Sequence, residues 1–193
     1  MDNFRSITVT PGNIVKVKNP TSYPLIGKGS QGAVFRLSDR VCVKIYAREE
    51  VALREADAYK MLHSSGISPE LYETGPNYII MEYFRAGSLE DYLKSGGNLT
   101  EALTLKLLSL LADIKLLGFP RVDWPLRHIF IAKNGRLKVI DPVHALKSKK
   151  RRPTQLFKDL ASLKLLGRFA GHLRKLNNEL YLDWEDAIER YLK

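Results

Sequence analysis

The feature that most constrains this chain is a glycine-rich run followed closely by an apolar segment ending in lysine. Gly27–Val34 reads G-K-G-S-Q-G-A-V, and Val41–Lys44 reads V-C-V-K after six intervening residues. Residues 23–26 and 33–37, on the two sides of the glycines, have strand-like patterns, so the glycines are predicted at the tip of a β-hairpin. Backbone N–H groups at such a tip can approach phosphate oxygens, and a lysine on the next strand can reach the same group. The pattern favours a phosphate-binding hairpin over a dinucleotide-binding turn, in which a helix follows the glycines.

Length and composition are typical of a globular protein with its own hydrophobic core. The chain has 193 residues, 45% of them hydrophobic, and no apolar run reaches the about 18 residues of a membrane helix. The N-terminal stretch lacks the basic and then apolar pattern of a secretory signal. The single cysteine, Cys42, excludes an internal disulfide, so we expect a cytoplasmic protein. The net charge of +10 favours anionic partners, such as nucleotides, nucleic acid, acidic proteins or anionic lipid.

The hydrophobic pattern predicts an α+β protein with a β-rich part followed by a mainly helical part. The elements predicted in the first part are short strands within 5–45, a helix from Arg48 to Leu62, and strands at 71–73 and 78–83. Those predicted in the second part are a short helix capped by Ser88, a helix from Glu101 to Leu117, a hairpin of 129–132 with 137–140, and helices from about Thr154 to Leu176 and from Asp183 to Tyr191. This order predicts two unequal lobes, residues 1–84 and 85–193, with Ala86-Gly87 as a candidate hinge.

One carboxylate falls where an apolar side chain is expected. Glu55 lies on the same stripe of the predicted 48–62 helix as Val51 and Ala58. An acid in such a place needs a partner or stays neutral, because burial of an unpaired charge is costly. Lys44 is the natural partner, since the helix follows the lysine strand directly. The alternative is that Glu55 lies at the edge of the stripe and reaches water.

Three further residues are predicted to converge at one edge of the second part. Asp123 lies in a short loop, His128 opens the strand after it, and Asp141 ends the next strand. A hairpin brings positions 128 and 141 side by side. Carboxylate oxygens are the ligands that Mg²⁺ prefers, and a carboxylate can orient a hydroxyl nucleophile and take its proton. The pattern therefore indicates a site for a metal and a hydroxyl group.

Taken together, these features resemble the protein-kinase-like superfamily. Its motifs occur in the family's order over about residues 22–145: the glycine run, Lys44, Glu55, the strand Ile79–Tyr83, Asp123, His128 and Asp141. The resemblance implies a bilobal fold, with a β-rich N-lobe carrying one helix and a short, mainly helical C-lobe. It also implies transfer of the γ-phosphate of ATP to a hydroxyl, with Mg²⁺ or Mn²⁺ as the metal. The short C-lobe is similar to that of small atypical kinases of the Rio and Bud32 type.

The resemblance also implies roles for single residues. Asp123 is implied as the catalytic base, Lys44 as the lysine that contacts the α and β phosphates, Asp141 as the main metal ligand and His128 as the second. The residues implied to bind ATP are Ile26, Gly27, Lys28, Gly29, Ser30, Gln31, Gly32, Ala33, Val34, Cys42, Lys44, Glu55, Met81, Glu82, Phe84 and Phe130. Within this set Met81 resembles the gatekeeper, and Glu82 and Phe84 would offer backbone groups to adenine.

The chain departs from the family's pattern at three places. Val122 replaces the arginine that pairs with a phosphorylated activation loop, and Pro142-Val143 replaces the Phe-Gly that usually follows the metal aspartate. His128 stands where asparagine is usual, as in bacterial kinases that phosphorylate lipopolysaccharide sugars; alternatively it only holds Asp123 by a hydrogen bond. These departures leave three hypotheses: a Ser/Thr protein kinase, a kinase of sugars or other small molecules, and a pseudokinase that binds nucleotide without turnover. The net charge adds a fourth, a basic subunit of a nucleic-acid complex.

A basic tract, Lys147–Arg152, lies where an activation segment is expected. It could contact an acidic or phosphorylated acceptor, RNA or anionic lipid, or it could be a solvated loop. No aromatic residues are interleaved with it, so binding of nucleic acid by base stacking has little support. After the tract, the apolar pattern predicts one core-facing helical stripe of Phe157, Leu160, Leu163, Phe169 and Leu173, with His172 on the surface.

Overall fold

The computed structural model describes residues 3–142 and 149–192, and the chain divides into two compact units. The N-terminal unit comprises the residues up to Ser64 together with Ser68–Arg85. The C-terminal unit comprises Ser65–Ile67 and the residues from Ala86 onward. A mixed α+β fold with a β-rich first part and helices after it is therefore confirmed. That the two units are the lobes of a kinase stays a prediction.

The N-terminal unit is built on a five-stranded antiparallel sheet with the strand order β3-β4-β5-β7-β6. A separate hairpin of β1 and β2 precedes it, and helix α1 packs against β5 and β7. The elements are β1 (Thr8–Thr10), β2 (Lys16–Lys18), β3 (Leu25–Lys28), β4 (Gly32–Arg36), β5 (Val41–Tyr46), α1 (Glu49–His63), β6 (Leu71–Gly75) and β7 (Tyr78–Glu82).

The N-terminal segment covers apolar residues of the central strands. One cluster joins four of its side chains to β4 and β5: Phe4, Ile7, Val9 and Val15 with Ala33, Phe35, Val43 and Ile45. The β1–β2 hairpin thus buries residues that would otherwise face water, and apolar burial is the main favourable term of folding. The backbone of Val15 also donates a hydrogen bond of 2.9 Å to the carbonyl of Gly29, which ties this segment to the glycine turn.

Among the described residues, the C-terminal unit contains five α-helices and one pair of antiparallel strands. They are α2 (Leu89–Lys94), α3 (Glu101–Leu116), β8 (Ile129–Ile131), β9 (Leu137–Val139), α4 (Thr154–Ser162), α5 (Leu166–Leu176) and α6 (Asn178–Leu192). Ser88 and Asp91 form the predicted capping box of α2, and Thr100 caps α3 through the N–H of Leu103. Among the described residues, every helix is too short or too polar to cross a membrane.

The prediction of one helical stretch from Thr154 to Leu176 was wrong. The helix ends at Ser162 and a new one begins at Leu166, because Lys164 takes a left-handed conformation with φ of 58°. The turn is closed by the N–H of Leu165, which donates to the carbonyl of Leu160 over 2.8 Å. The segment contains no proline and no glycine at the break, so the sequence carries no local signal for it.

Three smaller predictions also need correction. Leu163 is half-buried at the end of α4 and does not belong to the core-facing stripe. Helix α6 begins at Asn178, earlier than the predicted Asp183. His172 does not lie on the surface, because it is half-buried and its Nδ1 lies 3.0 Å from the hydroxyl oxygen of the buried Thr104. The polar partner of His172 lies on another helix, α3, and this contact explains the last difference.

Replacing Lys164 with glycine is expected to raise the free energy of unfolding by about 0.5–1 kcal/mol. A left-handed non-glycine residue costs about 1–2 kcal/mol, and the greater entropy of glycine in the unfolded chain offsets part of the gain. Urea denaturation followed by circular dichroism measures the change. The matched control is Lys158→Gly in the middle of α4, which should lower the stability by about 1 kcal/mol. Equal losses in both variants would contradict the assignment of Lys164 as the helix-ending residue.

Candidate active site

The predicted glycine hairpin is present between β3 and β4. Gly27 pairs with Val34 and Lys28 with Ala33, and the register shifts between Leu25 and Gly27. The N–H of Gly29 donates to the carbonyl of Gly32 over 3.0 Å, which closes the tip. Residues 24–30 are exposed, so the backbone of the turn faces open space. A phosphate group can approach the backbone N–H groups of such an exposed turn.

Lys44 and Glu55 form a buried ion pair in the N-terminal unit. Nζ of Lys44 donates to both carboxylate oxygens of Glu55, at 2.8 Å each. The side chain of Glu55 is 0% exposed and that of Lys44 is 13% exposed. Lys44 lies opposite Val34 in the β4–β5 register, so the ammonium group belongs to the strand beside the glycine hairpin. The paired geometry removes the alternative of a Glu55 that reaches water.

The other predicted ATP-binding residues of this unit lie along β5, β7 and the chain just after β7. Cys42 is opposite Met81 and Val41 is opposite Glu82, so Cys42 and Met81 sit at one level of the sheet. Cys42, Met81 and Phe84 are all buried. Burial raises the pKa of the Cys42 thiol to about 12, although the nearby charge of Lys44 acts in the opposite direction. Cys42 is therefore a neutral, apolar group at neutral pH.

The predicted residues Asp123, His128 and Asp141 line one pocket of about 110 Å³ in the C-terminal unit. Its remaining lining residues are Arg121, Trp124, Pro125 and Arg127. Nδ1 of His128 lies 3.9 Å from Oδ2 of Asp141, and the carbonyl of His128 accepts from the N–H of Ile140 over 2.9 Å. The strand pair β8–β9 therefore brings positions 128 and 141 together. His128 was predicted to open this strand, and that prediction was wrong by one residue. It ends a short 3-10 turn, Leu126–His128, and β8 begins at the next residue.

Asp141 has a strained backbone. Its φ is 57°, in the left-handed region, and it directly precedes Pro142, which favours an extended residue before it. Such positions cost about 1–3 kcal/mol and concentrate at functional sites. An aspartate tolerates this conformation better than most residues. The strained residue is the one predicted to be the main metal ligand, and that role stays a prediction.

The donor set around Asp141 fits a magnesium ion that is also held by a ligand's phosphates. Asp141 supplies carboxylate oxygens, and Mg²⁺ is commonly held by one or two carboxylates together with substrate phosphates. His128 offers a nitrogen, which suits Mn²⁺ or softer metals better than Mg²⁺. Within residues 3–142 and 149–192, no group of three or more His, Cys, Asp or Glu side chains could hold a metal ion alone.

Asp123 is deeply buried and both of its carboxylate oxygens have donors nearby. It is 1% exposed, and Oδ1 accepts from the N–H of Gln155 over 2.6 Å. Around Oδ2 lie the hydroxyl of Thr154 at 3.3 Å, Nζ of Lys150 at 3.4 Å and a guanidinium nitrogen of Arg121 at 3.6 Å. Asp123 thereby satisfies the first turn of α4, whose own N-cap residue provides no side-chain hydrogen bond.

The sequence did not predict these partners of Asp123. Thr154, Gln155 and Lys150 are about thirty positions away along the chain, and their pairing with Asp123 depends on how α4 packs against the loop. The sequence carries one usable signal. No Ser, Thr, Asp or Asn directly precedes the start of α4, so the first backbone N–H groups of that helix need an acceptor from another segment.

The described part of the basic tract is held in place by other residues. Lys150 contacts Asp123, and Arg152 forms ion pairs with Asp183 and Asp186. Lys149 and Arg151 are exposed. Lys147 and Ser148, as well as Val143 after Pro142, lie outside the described residues.

Comparison with known proteins shows a similarity to a bacterial protein. No family model matches the chain. The chain is 31% identical over 122 residues to a protein of Bacillus subtilis (strain 168) named "Putative serine/threonine-protein kinase YrzF". The match covers 61% of this chain and 57% of that protein, so the chain spans a little over half the length of the relative. The similarity supports a kinase-type phosphotransferase.

Proposed function

We propose that the protein is an ATP-dependent phosphotransferase that moves the γ-phosphate of ATP to a serine or threonine hydroxyl of a protein. The observation that carries this proposal is the buried Lys44–Glu55 pair on the strand beside the glycine hairpin. Glu55 is 0% exposed, and replacing both members of a buried ion pair by apolar residues often leaves the stability of a protein unchanged or raises it. The presence of this pair therefore points to a role other than stability. Holding Lys44 in place for contact with phosphates is such a role.

The N-terminal unit supplies the nucleotide-binding residues of this proposal. The exposed backbone of residues 27–32 would bind phosphate oxygens, and Lys44, held extended by Glu55, would contact the α and β phosphates. Ile26 and Val34 would cover the adenine ring, and Met81 would lie at its inner edge. Fixed donors of this kind bind a phosphate without the cost of ordering them at each turnover.

The C-terminal unit supplies the residues that act on the acceptor. The acceptor hydroxyl would donate to Oδ2 of Asp123, the carboxylate oxygen without a short hydrogen bond. As the bond from the hydroxyl oxygen to phosphorus forms, the bond between the γ-phosphorus and the ADP oxygen breaks, and the hydroxyl proton passes to Asp123. Asp141 would hold Mg²⁺, which, when bound, neutralises phosphate charge.

The choice of a protein acceptor rests on the name of the relative and on charge. The relative carries a Ser/Thr protein kinase name, and the net charge of +10 favours an acidic acceptor. A sugar or other small hydroxyl acceptor is the alternative, because His128 stands where bacterial sugar kinases of the lipopolysaccharide type also have histidine. Nucleic acid is a weaker candidate.

A second function, a nucleotide-binding module without turnover, is favoured by one observation. Asp123 is 1% exposed, and donors surround both of its oxygens. An aspartate held in this way also serves as a structural cap of α4. In such a protein, ATP would raise the melting temperature without transfer of phosphate.

Transfer of label from γ-labelled ATP distinguishes these functions. The full chain is incubated with Mg²⁺ or Mn²⁺ and, separately, with an acidic protein, a basic protein and lipopolysaccharide. We expect label on protein. Label on lipopolysaccharide alone would replace the protein kinase by a sugar kinase, and a raised melting temperature without label on any acceptor would favour the binding module.

Two glycine variants separate nucleotide binding from folding. A Cβ at Gly29 has no atom within 4 Å, whereas one at Gly32 would lie 2.5 Å from the carbonyl oxygen of Ile45. We expect Gly29→Ala to keep its stability within about 0.5 kcal/mol and to weaken ATP binding by about 5- to 10-fold, because the methyl group keeps phosphate from the backbone. Gly32→Ala should lose about 1–3 kcal/mol of stability. Calorimetric titration with ATP and urea denaturation measure both; unchanged ATP binding in Gly29→Ala would contradict the role of the turn.

A further inference from the structure

The basic segment, defined here as Lys149–Arg152, is fixed by its backbone to the loop that carries Asp123. The N–H of Lys150 donates to the carbonyl of Pro120 over 2.9 Å, and the N–H of Val122 donates to the carbonyl of Lys150 over 3.0 Å. These two bonds form a parallel bridge at Arg121. The position of the Lys150 side chain is therefore determined by the same loop as that of Asp123.

A second anchor comes from helix α6. The guanidinium group of Arg152 lies 2.6 Å from Oδ1 of Asp186 and 3.3 Å from Oδ1 of Asp183. The two carboxylates are three residues apart and so lie on one face of the helix. Arg152 is thus engaged within the chain. It holds the C-terminal end of the basic segment in place and is not available to a substrate in this arrangement.

Lys150 lies between solvent and the less firmly bound oxygen of Asp123. Oδ1 is fixed by a short bond of 2.6 Å from the backbone of Gln155, whereas the donors around Oδ2 lie at 3.3 to 3.6 Å. Of the two cations beside Oδ2, the Lys150 side chain is 46% exposed and that of Arg121 is 23% exposed. Lys150 is therefore the more accessible cation at the oxygen that would receive a proton.

We infer that Lys150 is a positioning residue of the phosphoryl transfer and that Arg152, through Asp183 and Asp186, holds it in place; this inference rests on the proposed function. The ammonium group balances the charge of a carboxylate that is almost fully buried, and it keeps Oδ2 directed at the acceptor. The basic segment accordingly acts as an internal clamp on Asp123.

Steady-state transfer of γ-labelled phosphate tests the role of Lys150. The proteins are wild type, Lys150→Met, Lys150→Arg and, as the matched control, Lys149→Met, whose side chain is exposed beside Lys150. We expect kcat of Lys150→Met to fall by about 100-fold, with KM for ATP within about 2-fold of wild type. Lys150→Arg should recover at least about one-tenth of the wild-type kcat, because it keeps the charge. Lys149→Met should be unchanged.

The anchor is tested by a double variant far from the pocket. Asp183→Asn/Asp186→Asn removes both partners of Arg152, and Glu179→Gln on the same helix is the control. We expect the double variant to lose about 10-fold in kcat, an effect of positioning alone, and the control to lose nothing.

The outcomes separate this inference from the proposed function. Wild-type transfer with an unchanged or raised kcat in Lys150→Met would overturn the inference and leave the function standing. A low kcat in Lys150→Met that Lys150→Arg does not recover, together with a lowered melting temperature, would assign Lys150 a structural role and also overturn it. Failure of the wild type to label any acceptor would overturn the proposed function, and the inference with it.

Discussion

Replacing Lys44 with methionine is expected to lower the free energy of unfolding by about 3–5 kcal/mol, because it leaves a buried carboxylate without its cation. The side chain of Glu55 is 0% exposed, and Lys44 donates to both of its oxygens. The variant should also bind ATP more weakly, since the lysine that would contact its phosphates is gone. Urea denaturation and calorimetric titration with ATP measure the two effects.

Two further variants make this expectation specific to the pair. Lys60→Met removes a lysine that is 68% exposed and pairs with the equally exposed Asp57, and it should cost less than about 1 kcal/mol. Lys44→Met/Glu55→Leu removes both charges and should be more stable than Lys44→Met alone. If the double variant loses as much free energy of unfolding as Lys44→Met and Glu55→Leu lose together, Lys44 and Glu55 are not coupled.

Replacing Asp123 with asparagine is expected to lower phosphate transfer by about 100- to 10,000-fold, because the amide cannot accept the acceptor's proton. It should also cost about 1–3 kcal/mol of stability, because an amide NH₂ would face the Lys150 and Arg121 cations, or the N–H of Gln155 would lose its acceptor. ATP affinity should stay unchanged, since Asp123 is not among the residues proposed to bind the nucleotide.

Asp159→Asn is the matched control for Asp123→Asn. Asp159 lies in α4, one turn after Gln155, where it accepts from the N–H of Leu126 over 2.8 Å and from the side chain of Gln155 over 2.7 Å. Its loss should lower stability by a similar amount and leave transfer per folded molecule unchanged. Equal losses of transfer in both variants would show that Asp123 contributes structure and not proton transfer.

The sequence predicted those parts of the candidate site that depend on local patterns. The glycine hairpin follows from turn chemistry between two strand-like runs, and the capping box at Ser88 follows from its spacing to Asp91. The Lys44–Glu55 pair followed from a single acidic residue on an apolar helix stripe, next to a strand that ends in lysine. In each case the determining residues are close together in the chain.

What the sequence could not predict depends on contacts between distant segments. The burial of Asp123 against the first turn of α4 and the contact with Lys150 join positions about thirty residues apart. The break at Lys164 takes a left-handed conformation without glycine, so only the packing of α4 and α5 explains it. The roles of Asp123, His128 and Asp141 in catalysis remain predictions.

The role of Asp123 in phosphoryl transfer is tested by measuring the transfer of γ-labelled phosphate by wild type and Asp123→Asn, both saturated with ATP as established by titration. We expect wild type to label an acceptor hydroxyl and Asp123→Asn, with equal ATP affinity, to transfer phosphate at least about 100-fold more slowly. Wild type that binds ATP and labels no acceptor, or equal transfer by both proteins, would contradict the role of Asp123 as the base of a phosphotransferase.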